Sequence, residues 1–234
     1  MNATDPNLPL LEMVVHSFGP LCERFVFIGG CAAGLLVTES AAPPIRATQD
    51  VDVLVEIFSL VEYHALEREL QNRGFKHDQS PDAPVCRWVV GRALVDVMAT
   101  DERVLGFGNR WYSEAVRTAE PIYLPSGRKI LLIAPPVFLG TKLEAFHDRG
   151  RGDFLASHDL EDIVTVIDGR PTLPDEVEVA APALRTYLAD QFAAMLSNPG
   201  FVEALPAHLP GDPASQARLP MIKERLIRLA ASTG

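Results

Sequence analysis

The chain has 234 residues, of which 47% are apolar, and a formal net charge of −10 at pH 7. This length and composition allow a core large enough for one large domain or two small ones. The acidic balance argues against an extended nucleic-acid-binding surface, which needs a basic field to meet phosphates.

The N-terminus and the cysteines indicate a cytoplasmic protein without disulfides. The opening MNATDPNLPL lacks the basic and apolar regions of a signal peptide, and no apolar run approaches the roughly 18 residues of a membrane span. Cys22, Cys31 and Cys86 are odd in number, widely separated and without CxxC spacing. We therefore expect buried, reduced thiols and no membrane partner.

Apolar periodicity predicts alternating helices and strands in the first half of the chain. The dipeptide Gly91-Arg92 separates two β-branched runs and is typical of a hairpin turn, whereas Pro43-Pro44 must lie in a loop. The predicted elements, in order, are a helix over 8–18, strand 25–28, helix 31–38, strand 50–57, a helix from 60 to Gly74 with Ser59 as N-cap, hairpin 85–99, and hairpin 122–133.

Beyond Pro135-Pro136 the apolar period changes from 2 to 3.6, and no further strand is predicted. Helices are expected over 136–148, 158–168, 175–197 and 214–231. The predicted fold class is α+β, a mixed β-sheet flanked by helices with a C-terminal helical region. We divide the chain into a catalytic domain over 1–134 and a helical domain over 135–234.

Two local patterns point to phosphate chemistry. Asp50 and Asp52 are two apart on a predicted strand, so they project from one face and can hold one hard cation through oxygen ligands. Gly29-Gly30 can bring backbone N–H groups close to a phosphate at a helix start. Two solvated acids on an exposed strand are the alternative, but the flanking valines disfavour it. Together the patterns suit phosphoryl or nucleotidyl transfer.

Asp96 interrupts an otherwise apolar strand, LVDVM. An isolated carboxylate in that setting is costly unless it is paired or bound to a cation. Asp96 is therefore a candidate third ligand for the cation proposed at Asp50 and Asp52.

Three segments resemble a known enzyme superfamily. FVFIGGCAAGLLVTESAAPPIRATQDVDVLV resembles the first motif of the DNA polymerase β-like nucleotidyltransferases, in which a strand ends in Gly-Gly or Gly-Ser and a later strand carries Asp-x-Asp. The segments 141–149 and 157–163 resemble, in order and spacing, the Lys-x-x-Ala and Asp-x-x-Asp motifs of the AbiEii-type toxins of type IV toxin–antitoxin systems. The resemblance implies a polymerase β-like nucleotidyltransferase fold and transfer of an NMP from an NTP to an acceptor hydroxyl.

The resemblance also implies a set of site residues. Asp50, Asp52 and Asp96 would bind Mg²⁺ or Mn²⁺, and Lys142 would neutralise nucleotide phosphates, with the helical domain completing the active site. Asp159 and Asp162 share a helix face and could orient Lys142, contact the nucleotide or act as a late acid–base group. Candidate phosphate contacts are Gly29, Gly30, Thr48 and Arg46. The alternatives are a solvated lysine at 142 and, for Asp159, a favourable charge at a helix N-terminus capped by Ser157.

The acceptor and the biological role are left open by the residues. By resemblance the acceptor could be the 3′ end of a tRNA, and a partner could be a cognate antitoxin. The final segment offers local basic charge at Arg218, Lys223, Arg225 and Arg228, for which surface solvation is an equal explanation. A small-molecule acceptor, or a nucleotide-binding or interaction module without turnover, are the alternatives. The preferred nucleotide, the oligomeric state and any toxicity are not determined.

Overall fold

The computed structural model describes residues 5–150 and 152–232, which divide into two compact units. The sheet unit comprises Pro6–Ala32 and Ala47–Ala134. The helical unit comprises Asp5, Ala33–Arg46 and the described residues from Pro135 onward. The short segment Ala33–Arg46 thus belongs with the C-terminal helices rather than with its neighbours in sequence.

Within the described residues, the sheet unit contains one mixed sheet of seven strands. β2 pairs with β5 and β1 with β7 in parallel, and the other neighbours are antiparallel. Across the sheet the order is β3-β4-β5-β2-β1-β7-β6. The predicted α+β class with a mixed sheet is confirmed. The strands are β1 (Phe25–Ile28), β2 (Asp50–Val55), β3 (Lys76–His77), β4 (Arg87–Val90), β5 (Ala93–Ala99), β6 (Glu120–Tyr123) and β7 (Lys129–Leu132).

Helices pack on this sheet through aromatic and aliphatic side chains. Phe18 is fully buried, with its ring 4.5 Å from that of Phe25 and stacked at 4.9 Å on Phe75. Ser59 caps its helix as predicted, because its side chain accepts a hydrogen bond from the Glu62 N–H. Two short helices after β5 were not predicted. The helices are α1 (Leu8–Phe18), α2 (Gly29–Leu36), α3 (Leu60–Asn72), α4 (Glu102–Leu105) and α5 (Tyr112–Arg117).

The helical unit has no strand among its described residues, as the sequence predicted. α6, α7, α9 and α12 pack around buried residues such as Ile163, Leu188 and Leu226. The helices are α6 (Pro135–Arg149), α7 (His158–Gly169), α8 (Leu173–Glu178), α9 (Pro182–Leu196), α10 (Pro199–Ala204), α11 (Pro213–Gln216) and α12 (Leu219–Ala230).

Three predicted helices have the wrong bounds. The segments 175–197 and 214–231 each form two helices, since Pro182 and Pro220 suit the first turn of a new helix and cannot donate an N–H inside a continuing one. The helix predicted over 31–38 ends at Leu36 instead. The next amides, of Thr38 and Glu39, donate to the Gly169 carbonyl at 2.9 and 2.8 Å.

Three arginines of the final segment form contacts within the helical unit. Arg218 Nε donates to both carboxylate oxygens of buried Asp168, at 2.7 and 2.9 Å, and Arg225 donates to the Ile167 carbonyl at 2.7 Å. Arg228 pairs with Asp175. Cations suit the C-terminal end of α7, where helix carbonyls lack intrahelical partners. Arg218 and Arg225 therefore stabilise the helix packing, whereas Arg228 is exposed and surface solvation remains an explanation for it.

The remaining general expectations concern thiols and membranes. All three cysteines are free and buried, as predicted. Among the described residues, none of the helices combines the length and the apolar character that a membrane span requires.

Candidate functional site

Sheet register brings the three predicted metal ligands together. β2 and β5 run parallel with Asp52 directly opposite Asp96, and Asp50 lies on the same strand face two residues before Asp52. One oxygen from each carboxylate lies within 4.8 Å of the others. Asp96 is buried, whereas Asp50 and Asp52 are partly exposed. Three hard oxygen ligands at this spacing could hold a divalent metal ion.

Gly29 makes room for one of these ligands. β1 pairs with β2 so that Ile28 is opposite Asp52, and Gly29 follows with a positive φ of 70°. A Cβ added at Gly29 would lie 1.8 Å from Asp52 Oδ2. Only glycine satisfies both the backbone angle and the space that the carboxylate occupies. The sequence suggested a phosphate-binding role for this glycine, but it did not suggest this packing role.

The start of α2 adds backbone donors beside the carboxylates. α2 begins at Gly29 itself, so the first-turn N–H groups lie at the end of β1, and Gly30 is buried in that turn. Such groups have no intrahelical acceptor and can bind phosphate oxygens. The phosphate-binding role of Gly29 and Gly30 stays a prediction.

Thr48 supports the beginning of β2. Its hydroxyl donates to the Asp50 carbonyl at 3.1 Å, and its N–H donates to Asn7 Oδ1 at 2.8 Å. These bonds hold the backbone that carries Asp50. A contact from Thr48 to phosphate stays a prediction.

Arg87 is a site residue that the sequence interpretation missed. It lies on β4 opposite Asp96, where Nε donates to Asp96 Oδ1 at 2.8 Å and Nη2 to Oδ2 at 2.7 Å. Nη2 is also 3.5 Å from Asp50 Oδ2. The hydrogen bonds to Asp96 raise the pKa of Arg87 above its ordinary value, so the side chain stays charged. The two-residue turn at Gly91-Arg92 already sets this register and could have revealed the pair.

The second group of predicted residues lies in the helical unit, around Lys142 on α6. Lys142 is only 7% exposed, and its Nζ donates to Asp162 Oδ2 at 2.6 Å and to Asp159 Oδ1 at 3.2 Å. The two aspartates are on the same face of α7 and are themselves buried. The solvated-lysine alternative is therefore wrong.

Two arginines complete this ion-pair cluster. Arg149 donates to both oxygens of Asp159, at 2.9 and 2.8 Å. Arg46 pairs with Asp162 at 3.1 Å and with Glu161 at 3.2 Å, so its guanidinium contacts carboxylates where the sequence suggested a phosphate. Burial alone would raise the pKa of Asp159, but the Arg149 hydrogen bonds and the charges of Lys142 and Arg149 outweigh it and lower that pKa.

The chain aligns with several solved structures at low sequence identity. No protein-family model matches the chain, and no curated protein sequence matches it significantly. An antigenic nucleotidyltransferase-like protein from Paracoccidioides brasiliensis aligns at 18% identity, covering 88% of this chain and 94% of that chain with a TM-score of 0.49. The antibiotic-resistance factor ANT(2'')-Ia aligns at 14% identity, over 84% and 97% of the chains, with a TM-score of 0.48. JHP933 from Helicobacter pylori aligns at 12% identity, over 96% and 87%, with a TM-score of 0.45. With TM-scores below 0.5, function has to be argued from the side chains.

Gly29→Ala should displace Asp52 and weaken metal binding. The new Cβ would overlap the Asp52 carboxylate, and the positive φ costs a further ~1 to 2 kcal/mol. Gly74→Ala is the matched control, because Gly74 has a φ of 85° and open space around its Cβ position. Mn²⁺ titration should show a loss of affinity in the Gly29 variant alone. Equal affinity in both variants would show that Gly29 does not position Asp52.

Lys142→Met should lower the free energy of unfolding by about 3 kcal/mol, because it leaves two buried carboxylates short of a cation. The double variant Lys142→Met/Asp162→Asn should lose less than the sum of the single losses, since the two groups are removed together. Lys76→Met, at an exposed strand position, is the control and should stay within about 0.5 kcal/mol of wild type. Denaturant titrations measure all five proteins: wild type, Lys142→Met, Asp162→Asn, the double variant and Lys76→Met. A fully stable Lys142→Met protein would contradict the ion-pair cluster.

Asp159 should contribute to acid sensitivity. Because its folded pKa is lowered, its stabilising contribution is complete above the unfolded value of 3.8 and is lost as the pH falls through the folded pKa. Asp159→Asn removes this protonation step. Its melting temperature should therefore fall less steeply than that of wild type below about pH 4, and parallel curves would contradict the lowered pKa.

Proposed function

We propose that this chain is a metal-dependent nucleotidyltransferase that transfers an NMP from an NTP to an acceptor hydroxyl, with release of pyrophosphate. The observation that carries the proposal is the convergence of Asp50, Asp52 and Asp96 within 4.8 Å on adjacent parallel strands. Gly29 supports the proposal, because its lack of a side chain leaves the space that the Asp52 carboxylate fills.

The proposed roles follow from the position of each group. Asp50, Asp52 and Asp96 would hold Mg²⁺ or Mn²⁺, which supplies charge neutralisation at the triphosphate and lowers the pKa of the acceptor hydroxyl. The side chain of Asp50 is 39% exposed and that of Asp96 is 11% exposed, so substrate would approach from the Asp50 side. The first-turn N–H groups of α2 are available to orient phosphate oxygens for in-line attack.

The proposed role of Lys142 rests on the sequence resemblance. Its ammonium already donates to Asp159 and Asp162, so a phosphate contact would require it to share or exchange one of these carboxylates. On this proposal Asp162, with the shorter bond of 2.6 Å, is the residue that orients Lys142. Asp159 remains the alternative as a nucleotide contact.

The proposal for the acceptor names two classes of molecule. The AbiEii-type assignment, with the 3′ end of a tRNA as acceptor and a cognate antitoxin as partner, rests on the sequence motifs. A small-molecule hydroxyl is the second candidate, and one observation favours it. Arg218, Arg225 and Arg228, three of the four basic residues in the final segment, contact partners inside the helical unit and so leave less positive charge for binding RNA.

Asp52→Asn should reduce Mg²⁺-dependent pyrophosphate release by at least about a hundredfold, because it removes one anionic ligand without changing shape. Asp82→Asn, in an exposed loop of the sheet unit, is the matched control and should retain wild-type turnover. The assay uses each NTP in turn, with total cellular RNA or with aminoglycoside-like polyols as acceptor. Wild-type turnover in Asp52→Asn would exclude the metal assignment. NTP binding without pyrophosphate release by wild type would favour a module without turnover.

A further inference from the structure

The guanidinium of Arg87 lies where the three carboxylates converge. It engages both oxygens of Asp96, at 2.8 and 2.7 Å, and the same Nη2 approaches Asp50 Oδ2 at 3.5 Å. Arg87 therefore contacts two of the three proposed metal ligands at once. Its side chain is 22% exposed, which leaves it a route toward solvent.

This geometry distinguishes two roles for Arg87: orienting Asp96, or opposing a metal ion at the same carboxylates. A residue that only orients Asp96 would bind the carboxylate on the side away from the other ligands. Arg87 instead bridges Asp96 and Asp50, so its positive charge would oppose a cation shared by those two ligands. A carboxylate has further lone pairs beyond the two that Arg87 uses, but two cations on the same oxygens repel each other strongly.

Electrostatics explains why the chain carries such a group. Three carboxylates within 4.8 Å repel one another, and one of them, Asp96, is buried. Without a counter-charge the arrangement would be unstable whenever no metal is bound. An arginine supplies that charge with a two-pronged geometry that matches one carboxylate, and it does so from the neighbouring strand of the same hairpin.

We infer that Arg87 is an internal counter-cation that competes with the divalent metal for Asp96 and Asp50, so that metal binding requires its displacement. This inference rests on the proposed function, because it takes the three carboxylates as a metal site. Arg87 would set the metal affinity of the site. It would also reduce the repulsion among the carboxylates, so that the protein can fold before a metal ion binds. The competition makes occupancy of the site depend on the metal concentration.

The test measures Mn²⁺ binding without nucleotide, by electron paramagnetic resonance of free Mn²⁺ or by calorimetry. Arg87→Gln should bind Mn²⁺ at least about tenfold more tightly than wild type, because the competing charge is gone. Without metal, the same variant should melt at a lower temperature than wild type, and saturating Mn²⁺ should raise its melting temperature by more than it raises that of wild type. Arg92→Gln, an exposed arginine at the turn of the same hairpin, removes an equal charge and should leave the affinity unchanged.

Arg87→Lys covers the case in which Arg87→Gln does not fold. It keeps the charge but loses the two-pronged bond, so its Mn²⁺ affinity should still exceed that of wild type. Unchanged or weaker binding in the Arg87 variants that fold, with clear binding by wild type, would overturn the competition while leaving the metal site intact. An equal gain in Arg92→Gln would also overturn it, because the effect would then come from net charge. Absence of Mn²⁺ binding in wild type and in every variant would instead overturn the proposed function.

Discussion

The parallel pairing of β2 with β5 is the constraint on which the sheet unit depends. Its register sets Asp52 directly opposite Asp96, so the backbone hydrogen bonds that build the sheet also bring like charges together. Like charges across a strand pair are destabilising, and burial of Asp96 adds a desolvation cost. Arg87 on the next strand offsets part of this cost in the protein alone, and a divalent cation would offset more of it.

In the helical unit, too, buried carboxylates are paired with cationic side chains. Asp159, Asp162 and Asp168 are all nearly inaccessible on α7, and each has an arginine or lysine partner within hydrogen-bonding distance. A helix with three buried carboxylates would be unstable by itself, so α7 depends on cations from α6, from Arg218 just before α12 and from Arg46. This dependence connects elements that are far apart in sequence and specifies how the helices pack.

A glycine with positive φ and clustered charges coincide at the candidate metal site. Gly29 has a left-handed backbone angle, and its missing side chain is the space filled by the Asp52 carboxylate. A core built only for stability would avoid clustered acids and would not need a glycine at this position. Their combination is therefore better explained by cation binding than by folding alone.

Local features were predictable from the sequence. The helix Leu8–Phe18, the strand Phe25–Ile28 and the cap at Ser59 follow from periodicity and capping chemistry between residues close along the chain. The shared face of Asp50 and Asp52 likewise follows from the two-residue period of a strand. Helices 175–197 and 214–231 were predicted too long because the apolar period was given more weight than Pro182 and Pro220.

Contacts between distant residues were decided by tertiary structure. Pairing of β2 with β5 put Asp96 beside Asp52, and packing of α6 against α7 buried Lys142 between two aspartates. Arg46 reached Asp162 across 116 positions of sequence. The sequence by itself determined which residues could bear charge or chemistry. Apart from Arg87 and Asp96, whose hairpin turn sets their register, only the folded chain decided which charges meet, because strand order and helix packing are set by the burial of the whole apolar surface.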